Sequence, residues 1–255
     1  MTRVFGLIGF PLSHSFSKGF FADKFTQANI LDARYDNFPI ETLQNFAALW
    51  ENNSSLEGIN ITIPHKKAVI PFVDHPSSVV KKIQACNCIR KFNNELYGYN
   101  TDVIGFEKSL LPFLKPHHKT ALILGTGGAA AAVEWVLEKL QIDYRFVTRQ
   151  VKEGISTEKN ISYASLTKDI IAAHTLIVNT SPVGMYPNID QAPDIPYEGI
   201  TSQHHLYDLI YNPAETLFLT QGKAKGATIQ NGLEMLHLQA EASWEIWNSP
   251  SPMIQ

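Results

Sequence analysis

Residues 120–140 constrain this chain more than any other stretch. Thr120 to Leu124 is a short apolar run, Gly125-Thr126-Gly127-Gly128-Ala129-Ala130 follows it, and an alanine-rich segment continues to Leu140. A strand, a glycine turn and a helix in that order form the context that a dinucleotide-binding βαβ unit requires. Gly125 permits the tight turn, Gly127 lets backbone amides approach a pyrophosphate, and Ala130 lets the helix pack closely on the strand. Gly128 and Ala129 open the helix, whose N-terminal N–H groups and partial positive charge face the phosphates. A glycine-rich turn without a ligand is the plainer alternative. The flanking strand and helix weigh against it.

Further strands are predicted at Tyr144 to Thr148, Thr175 to Asn179, Leu206 to Leu209 and Ala227 to Ile229. Alternating with helical patterns, they predict a parallel α/β sheet. The strand after the glycine turn ends Phe146-Val147-Thr148-Arg149-Gln150. NAD enzymes usually carry an acid at that tip to bind the ribose 2′-hydroxyl. None stands here, whereas Arg149 offers a fork for a 2′-phosphate, with Thr148 and Lys152 in support. NADP is therefore the expected cofactor, and a merely solvated arginine is the alternative.

The first hundred residues carry no such turn. Val4 to Gly9, Ala33 to Phe38, Gly58 to Ile63, Ala85 to Lys91 and Glu95 to Tyr99 read as strands, the last two joined by Asn93-Asn94. Ser17 to Ala28 and Leu43 to Trp50 read as helices; Leu43, Phe46, Ala47 and Trp50 share one face. A last helix, Gly232 to Trp247, is expected to pack back on the first lobe. The fold class is α/β in two lobes: a substrate-binding catalytic domain of residues 1–103 plus 233–255, and a Rossmann-type nucleotide domain of residues 104–232. A chain of 255 residues fits one or two domains.

Composition narrows the partners. The net charge is −3, and the adjacent basic pairs Lys66-Lys67 and Lys81-Lys82 do not extend into runs, which argues against nucleic acid. Cys86 and Cys88, two apart, read as reduced core thiols; no second cysteine pair gives a zinc spacing, and no metal is expected. Reduced thiols, no full signal-peptide pattern and no 18-residue apolar run predict a cytoplasmic protein with no membrane partner.

Three polar clusters lie at predicted strand ends: Ser13-His14-Ser15-Phe16-Ser17, Asn60-Ile61-Thr62-Ile63-Pro64-His65-Lys66, and Asn100-Thr101-Asp102. If the strands are parallel, these ends form one rim, where open α/β sheets bind ligands. Each residue has a bland alternative. Ser17 could be only a helix cap, and Lys66 and Asp102 could be solvated surface charges.

Read together, the clusters resemble the shikimate dehydrogenase family nearly end to end. Gly9-Phe10-Pro11-Leu12-Ser13-His14-Ser15-Phe16-Ser17 resembles its opening motif, which implies that Ser15 and Ser17 bind a substrate carboxylate. Asn60 to Lys66 is similar to the family's N-V-T-x-P-x-K run, implying a catalytic Lys66. Ala85-Cys86-Asn87 resembles A-V-N, implying a substrate-binding Asn87. Gly98-Tyr99-Asn100-Thr101-Asp102 resembles G-x-N-T-D, implying that Asp102 partners the lysine. Asn179 to Met185 and Asp208 to Pro213 resemble motifs around the nicotinamide, with Tyr211 on the substrate. Gly232 to Gln239 resembles the family's C-terminal helix, which implies Gly232 and Met235 at the cofactor and Gln239 on a substrate hydroxyl. Two departures stand out. The nucleotide loop, often N-R-T with a further arginine, is Thr148-Arg149-Gln150 followed by Lys152 and Glu153. Lys18 replaces a usual proline.

The reaction implied by the resemblance is the reversible NADPH-dependent reduction of 3-dehydroshikimate to shikimate, a CH–OH oxidoreductase step toward chorismate and the aromatic amino acids. The residue chemistry suits a small polyhydroxylated acid: Ser15, Ser17 and Thr62 can donate to a carboxylate, and Asn60, Asn87 and Gln239 carry donors and acceptors for ring hydroxyls. Lys66, held by Asp102, would stabilise the developing alkoxide, and the close pair, titrating as a unit, would supply the proton without the sequence assigning it to either member. Three other readings stay open: an NAD-using quinate/shikimate dehydrogenase, a two-lobed dehydrogenase acting on methylene-tetrahydrofolate, and a non-catalytic NADPH-binding regulator. Either a monomer or a homodimer is compatible.

Overall fold

The computed structural model describes residues 2–12, 15–149 and 159–253. The chain forms two compact units, 1–104 with 239–255 and 105–238. No helix among the described residues is long and apolar enough to cross a membrane.

The first unit is built on a six-stranded sheet. Its elements are β1 (Arg3–Gly9), α1 (Phe16–Gln27), β2 (Ala33–Pro39), α2 (Phe46–Glu51), β3 (Leu56–Ile61), β4 (His75–Pro76), α3 (Ser78–Ile83), β5 (Cys88–Phe92) and β6 (Glu95–Tyr99), followed by the start of α4 (Asp102–Leu110). The strand order is β2-β1-β3-β5-β6-β4. The sheet is mixed, not parallel throughout: β1 pairs in parallel with β2 and β3, but β5 runs antiparallel to both β3 and β6. The reversal comes from Asn93 and Asn94, whose left-handed φ values of 51° and 63° suit a two-residue hairpin loop. A single rim survives, because the start of β5 lies beside the ends of β3 and β6. Leu7, Asn60, Cys88 and Tyr99 are successive partners across the sheet.

Several boundaries differ from expectation. Ser15, not Ser17, stands at the N-cap of α1, and its hydroxyl makes no cap bond. The segment 43–50 splits into a 3-10 turn, Leu43–Asn45, and α2; Leu43, Phe46 and Trp50 are buried while Ala47 is exposed. The third and fifth strands start later or end earlier than their apolar runs, since β3 stops before Pro64 and residues 85–87 carry loop bonds instead.

The second unit is a six-stranded parallel sheet. It contains β7 (Thr120–Leu124), α5 (Gly128–Lys139), β8 (Asp143–Thr148), β9 (Asn160–Ser162), α6 (Lys168–Ala173), β10 (Leu176–Asn179), β11 (His205–Asp208), α7 (Leu217–Ala224) and β12 (Thr228–Gln230). The order β12-β11-β10-β7-β8-β9 is that of a dinucleotide fold, with its topological switch point between β7 and β10. Ala130, Ala132, Val133, Val136 and Leu137 are the buried side of α5.

The last helix, α8 (Leu233–Asn248), includes the second junction between the units. Its later residues Ala240, Ile246 and Trp247 join Phe5, Leu7, Phe21, Phe25, Tyr35, Cys88 and Tyr99 in one buried cluster. Trp247 stacks on Phe5 at 4.9 Å and donates from Nε1 to the Ile89 carbonyl at 3.0 Å. The alternate residues of β1, Val4 and Ile8, face the other core with Leu43, Phe46 and Trp50. Both cysteines are buried and free. Burial pushes the Cys86 thiol up to about 12, so it stays protonated and inert.

Candidate active site

Lys66 lies in a turn just past β3. His65 N–H donates to Thr62 O at 2.9 Å, and Cys86 N–H donates to the Lys66 carbonyl at 2.7 Å. The buried His65 ring has Nε2 2.7 Å from Ile40 O; a carbonyl only accepts, so Nε2 carries the proton. With its backbone held, Lys66 donates from Nζ to Asp102 Oδ2 at 2.7 Å. Asp102 opens α4, where a carboxylate complements the helix dipole. Asn100 caps this start, accepting from Val103 N–H at 3.3 Å while donating to Ala85 O at 2.9 Å. The lysine and aspartate side chains are 27% and 13% exposed. This is a shielded but reachable ion pair, unlike the solvated charges considered from sequence.

A second hydrogen-bonded cluster includes Thr101, the residue before Asp102. Asn60 Oδ1 accepts from the Tyr35 hydroxyl at 2.9 Å, and Asn60 Nδ2 donates to Ser243 Oγ at 2.8 Å and to Asn87 O at 3.3 Å. Tyr35 is bonded in turn by Ser17, and burial raises its phenol well above the ordinary range. Asn87 Oδ1 accepts from Thr101 N–H at 2.7 Å, and Asn87 Nδ2 donates to Thr101 Oγ1 at 3.0 Å. Thr101 Oγ1 also lies 3.4 Å from Gln239 Oε1 and 3.3 Å from Ser243 Oγ. Ser17, Asn60, Asn87 and Gln239 thus belong to one connected cluster. The Asn60 amide is spent on protein partners, so it holds the rim and is not a free donor for a ligand.

Ser15 and Thr62 sit on the same rim, after β1 and β3. Ser15 Oγ is buried with no partner among the described residues, an unmet polar atom beside the cluster. Ser13 and His14 lie outside the described residues. Tyr35 and Ser243 were not singled out from sequence, and Thr101 was named only as a member of the cluster Asn100-Thr101-Asp102. Tyr35 and Ser243 occupy strand and helix positions that read as core, and only the spatial register reveals their polar ends.

In the second unit the glycine turn lies at the switch point. Gly125 has φ +109°, and an added Cβ would stand 3.0 Å from Thr180 Oγ1. Nothing lies within 4 Å of a Cβ added at Gly127 or Gly128. Gly127 caps α5 without a side chain, and the helix's first turn, which includes Ala129, holds no acid. Open space before the N-terminus of a helix fits the diphosphate of a dinucleotide. Thr148 ends β8 half-buried and Arg149 is exposed beyond it, close enough to Tyr163 for its charge to lower that phenol against the rise caused by burial. Lys152 and Glu153 lie outside the described residues. A cavity of about 810 Å³ lined by Thr120, Asp143, Arg145 and His174 opens where the strands begin. It is at the wrong edge for a dinucleotide, which these sheets bind at the carboxyl ends.

Asn179 and Asp208, at the ends of β10 and β11, organise the loops beyond them. Asn179 Nδ2 donates to Asp208 Oδ1 at 3.0 Å, and Thr216 donates to Asp208 Oδ2 at 2.6 Å. Burial pushes the Asp208 carboxyl up to about 6, despite the lowering bonds from Thr216, Ile210 and Asn179. The loop following β11 presents Tyr211, 38% exposed. Gly232 N–H donates to Ile210 O at 3.1 Å, and a Cβ there would collide with the Leu209 carbonyl. Close packing therefore accounts for this glycine, and Met235 is likewise buried.

Residues 7–89 match the family model described as shikimate dehydrogenase substrate binding domain. The shikimate dehydrogenase (NADP(+)) of Geobacillus kaustophilus is 36% identical, covering 99% of this chain and 95% of that one. The crystal structure of shikimate dehydrogenase from Aquifex aeolicus superposes with a TM-score of 0.84 at 33% identity, over 98% of this chain and 94% of its own. That of the Thermus thermophilus shikimate 5-dehydrogenase in complex with NADP(H) and shikimate gives 0.85 at 27% identity, over 99% and 95%.

Proposed function

This chain belongs to the shikimate dehydrogenase family, and from that premise we propose that it catalyses the reversible, NADP-dependent interconversion of shikimate and 3-dehydroshikimate in the shikimate pathway. The observation that carries the reading is the Lys66–Asp102 pair, 2.7 Å apart on a rim of amides and hydroxyls. Bound NADPH supplies the hydride that reduces the carbonyl carbon. Lys66, as an ammonium, stabilises the negative charge growing on the carbonyl oxygen and donates the proton that completes the alcohol. Asp102 orients that ammonium and balances its charge. In the oxidative direction the same pair takes the hydroxyl proton.

Ser15 and Ser17 receive the substrate carboxylate, with Thr62 beside them; the unmet Ser15 hydroxyl supports this role. Asn87 keeps one amide hydrogen beyond its bond to Thr101, and with Gln239 and Tyr211 it takes the ring hydroxyls. Asn60 positions these groups. Gly125, Gly127, Gly128 and Ala129 form the diphosphate cradle, Thr148 and Arg149 take the 2′-phosphate, and Gly232 and Met235 line the nicotinamide end. Residues 1–103 with 233–255 are the substrate domain and 104–232 the NADP domain. The reading extends to a cytoplasmic monomer or homodimer without nucleic-acid partners, consistent with a net charge of −3.

The test is cofactor reduction followed at 340 nm, with shikimate or quinate, each against NADP⁺ and NAD⁺. Turnover with shikimate and NADP⁺ well above the other three pairs is expected. Faster turnover of quinate with NAD⁺ would reassign the enzyme to the NAD-using branch, and no turnover with any pair would overturn the proposal.

A further inference from the structure

We propose that Asn179, at the end of β10, is a positioning residue for the cofactor, which pins Thr180 and Ser181 against the glycine turn that cradles the diphosphate; the inference rests on the NADP site of the function proposed above. All the groups concerned lie within the second unit. Asn179 is fully buried. A side-chain amide has two hydrogens to give and two lone pairs to fill. Here all four places are taken. Nδ2 donates to Asp208 Oδ1 at 3.0 Å and to the Val183 carbonyl at 3.4 Å. Oδ1 accepts from Ser181 N–H at 3.1 Å and from Ser181 Oγ at 2.7 Å. No place is left for a ligand, so Asn179 acts only through its neighbours.

Asp208 decides which way the amide faces. Its ionised carboxylate can only accept, so the Asn179 nitrogen must point to it. The carboxylate is itself held by Thr216 Oγ1 on Oδ2 at 2.6 Å and by Ile210 N–H on Oδ1 at 3.1 Å. The Asn179 oxygen is thereby turned toward the amide and hydroxyl hydrogens of Ser181. The segment so held is one wall of the glycine turn. The carbonyl of Leu124, the last residue of β7, accepts from Thr180 N–H at 3.0 Å and from Thr180 Oγ1 at 2.9 Å. A Cβ added at Gly125 would stand 3.0 Å from Thr180 Oγ1 and 3.4 Å from Ser181 N. Thr180 and Ser181 therefore bear on the first residue of the turn. Without the Asn179 oxygen both Ser181 hydrogens lose their acceptor, and this wall is free to shift. The turn then loses the shape that aims the start of α5 at the diphosphate. The Lys66–Asp102 bond involves none of these atoms.

The test compares wild type with Asn179→Ala at pH 8, where Asp208 is ionised. Calorimetric titration with NADPH should give a roughly tenfold higher Kd for the variant, the size set by one unsatisfied buried donor. Hydrogen exchange without cofactor should quicken in peptides covering residues 120–130 and 176–186, and not in β1 or β3. KM for shikimate should change little. A purely structural role would lower Tm and leave the Kd for NADPH unmoved. A higher Kd without faster exchange at 120–130 would mean that Asn179 does not act through the turn. Either result overturns the proposal, as does a rise in KM for shikimate as large as that in Kd. If Asn179→Ala does not fold, Asn179→Ser is measured instead, since a hydroxyl can meet Asp208 or Ser181 but not both; a smaller rise in Kd is expected and an unchanged Kd is fatal to the idea. Should wild type show no turnover, the function fails separately, and the NADPH titration with hydrogen exchange still decides the positioning role. Equal affinities, or no binding of NADPH to wild type, overturn it.

Discussion

An ammonium bonded to a single carboxylate oxygen, as Lys66 is to Asp102, keeps two hydrogens to offer. Lys66→Ala removes a contact that strengthens as charge builds on the substrate oxygen. We expect kcat to fall by about a thousandfold with only a modest change in KM for shikimate, in initial-rate measurements. Asp102→Asn keeps the shape but not the charge, so a smaller loss in kcat is expected. Both residues were legible as a linked pair only through the resemblance of their two motifs, because 36 positions separate them. The bonds among the polar supports were not legible, although Asn60, Asn87 and Gln239 were named. Asn60 and Ser243 stand 183 positions apart, and neither strand nor helix periodicity hints that their side chains meet.

At the scale of elements, the glycine turn before α5 makes two of its residues separable. Gly127 has φ −79°, which any residue adopts, and its missing Cβ opens on empty space. Gly127→Val should therefore leave Tm nearly unchanged while filling the cradle, raising KM for NADP⁺ by roughly ten- to a hundredfold. Gly125, at φ +109° against Thr180, tolerates no such change. Gly125→Ala should cost about 1–3 kcal/mol of stability, visible as a lower Tm. This turn was readable because its spacing, strand and helix are local. The direction of β5 was not read through, although the Asn93-Asn94 hairpin that reverses it was visible. The short strands β4 and β9, two and three residues long, are below the length at which alternation can be seen. Their pairing is decided by neighbouring strands.

Across the whole molecule, two buried groups of the second sheet set opposing pH responses. Burial, partly offset by the bond that Nε2 donates to Gln230 Oε1, lowers His205 from 6.5 to about 4, and its Nδ1 has no partner among the described residues. Its contribution is complete above pH 6.5 and is lost as pH falls toward 4, on the order of 3 kcal/mol. Asp208 is raised from 3.8 to about 6, so its contribution is present below pH 3.8 and is lost as pH rises through 6. Between pH 4 and 6 the two slopes oppose each other. Asp208→Asn should make the chain gain stability as pH rises from 4.5 to 6.5, and His205→Gln should make it lose stability over the same interval. Urea midpoints at the two pH values check both signs. A further outcome concerns synthesis. Ala240, Ile246 and Trp247 leave the ribosome after every strand, yet they cover Phe5 and Tyr35. A nascent chain halted at residue 238 can hold a finished parallel sheet behind an earlier-made one whose aromatic face is still wet. The part translated first is completed last, and until then it is the part most in need of a chaperone.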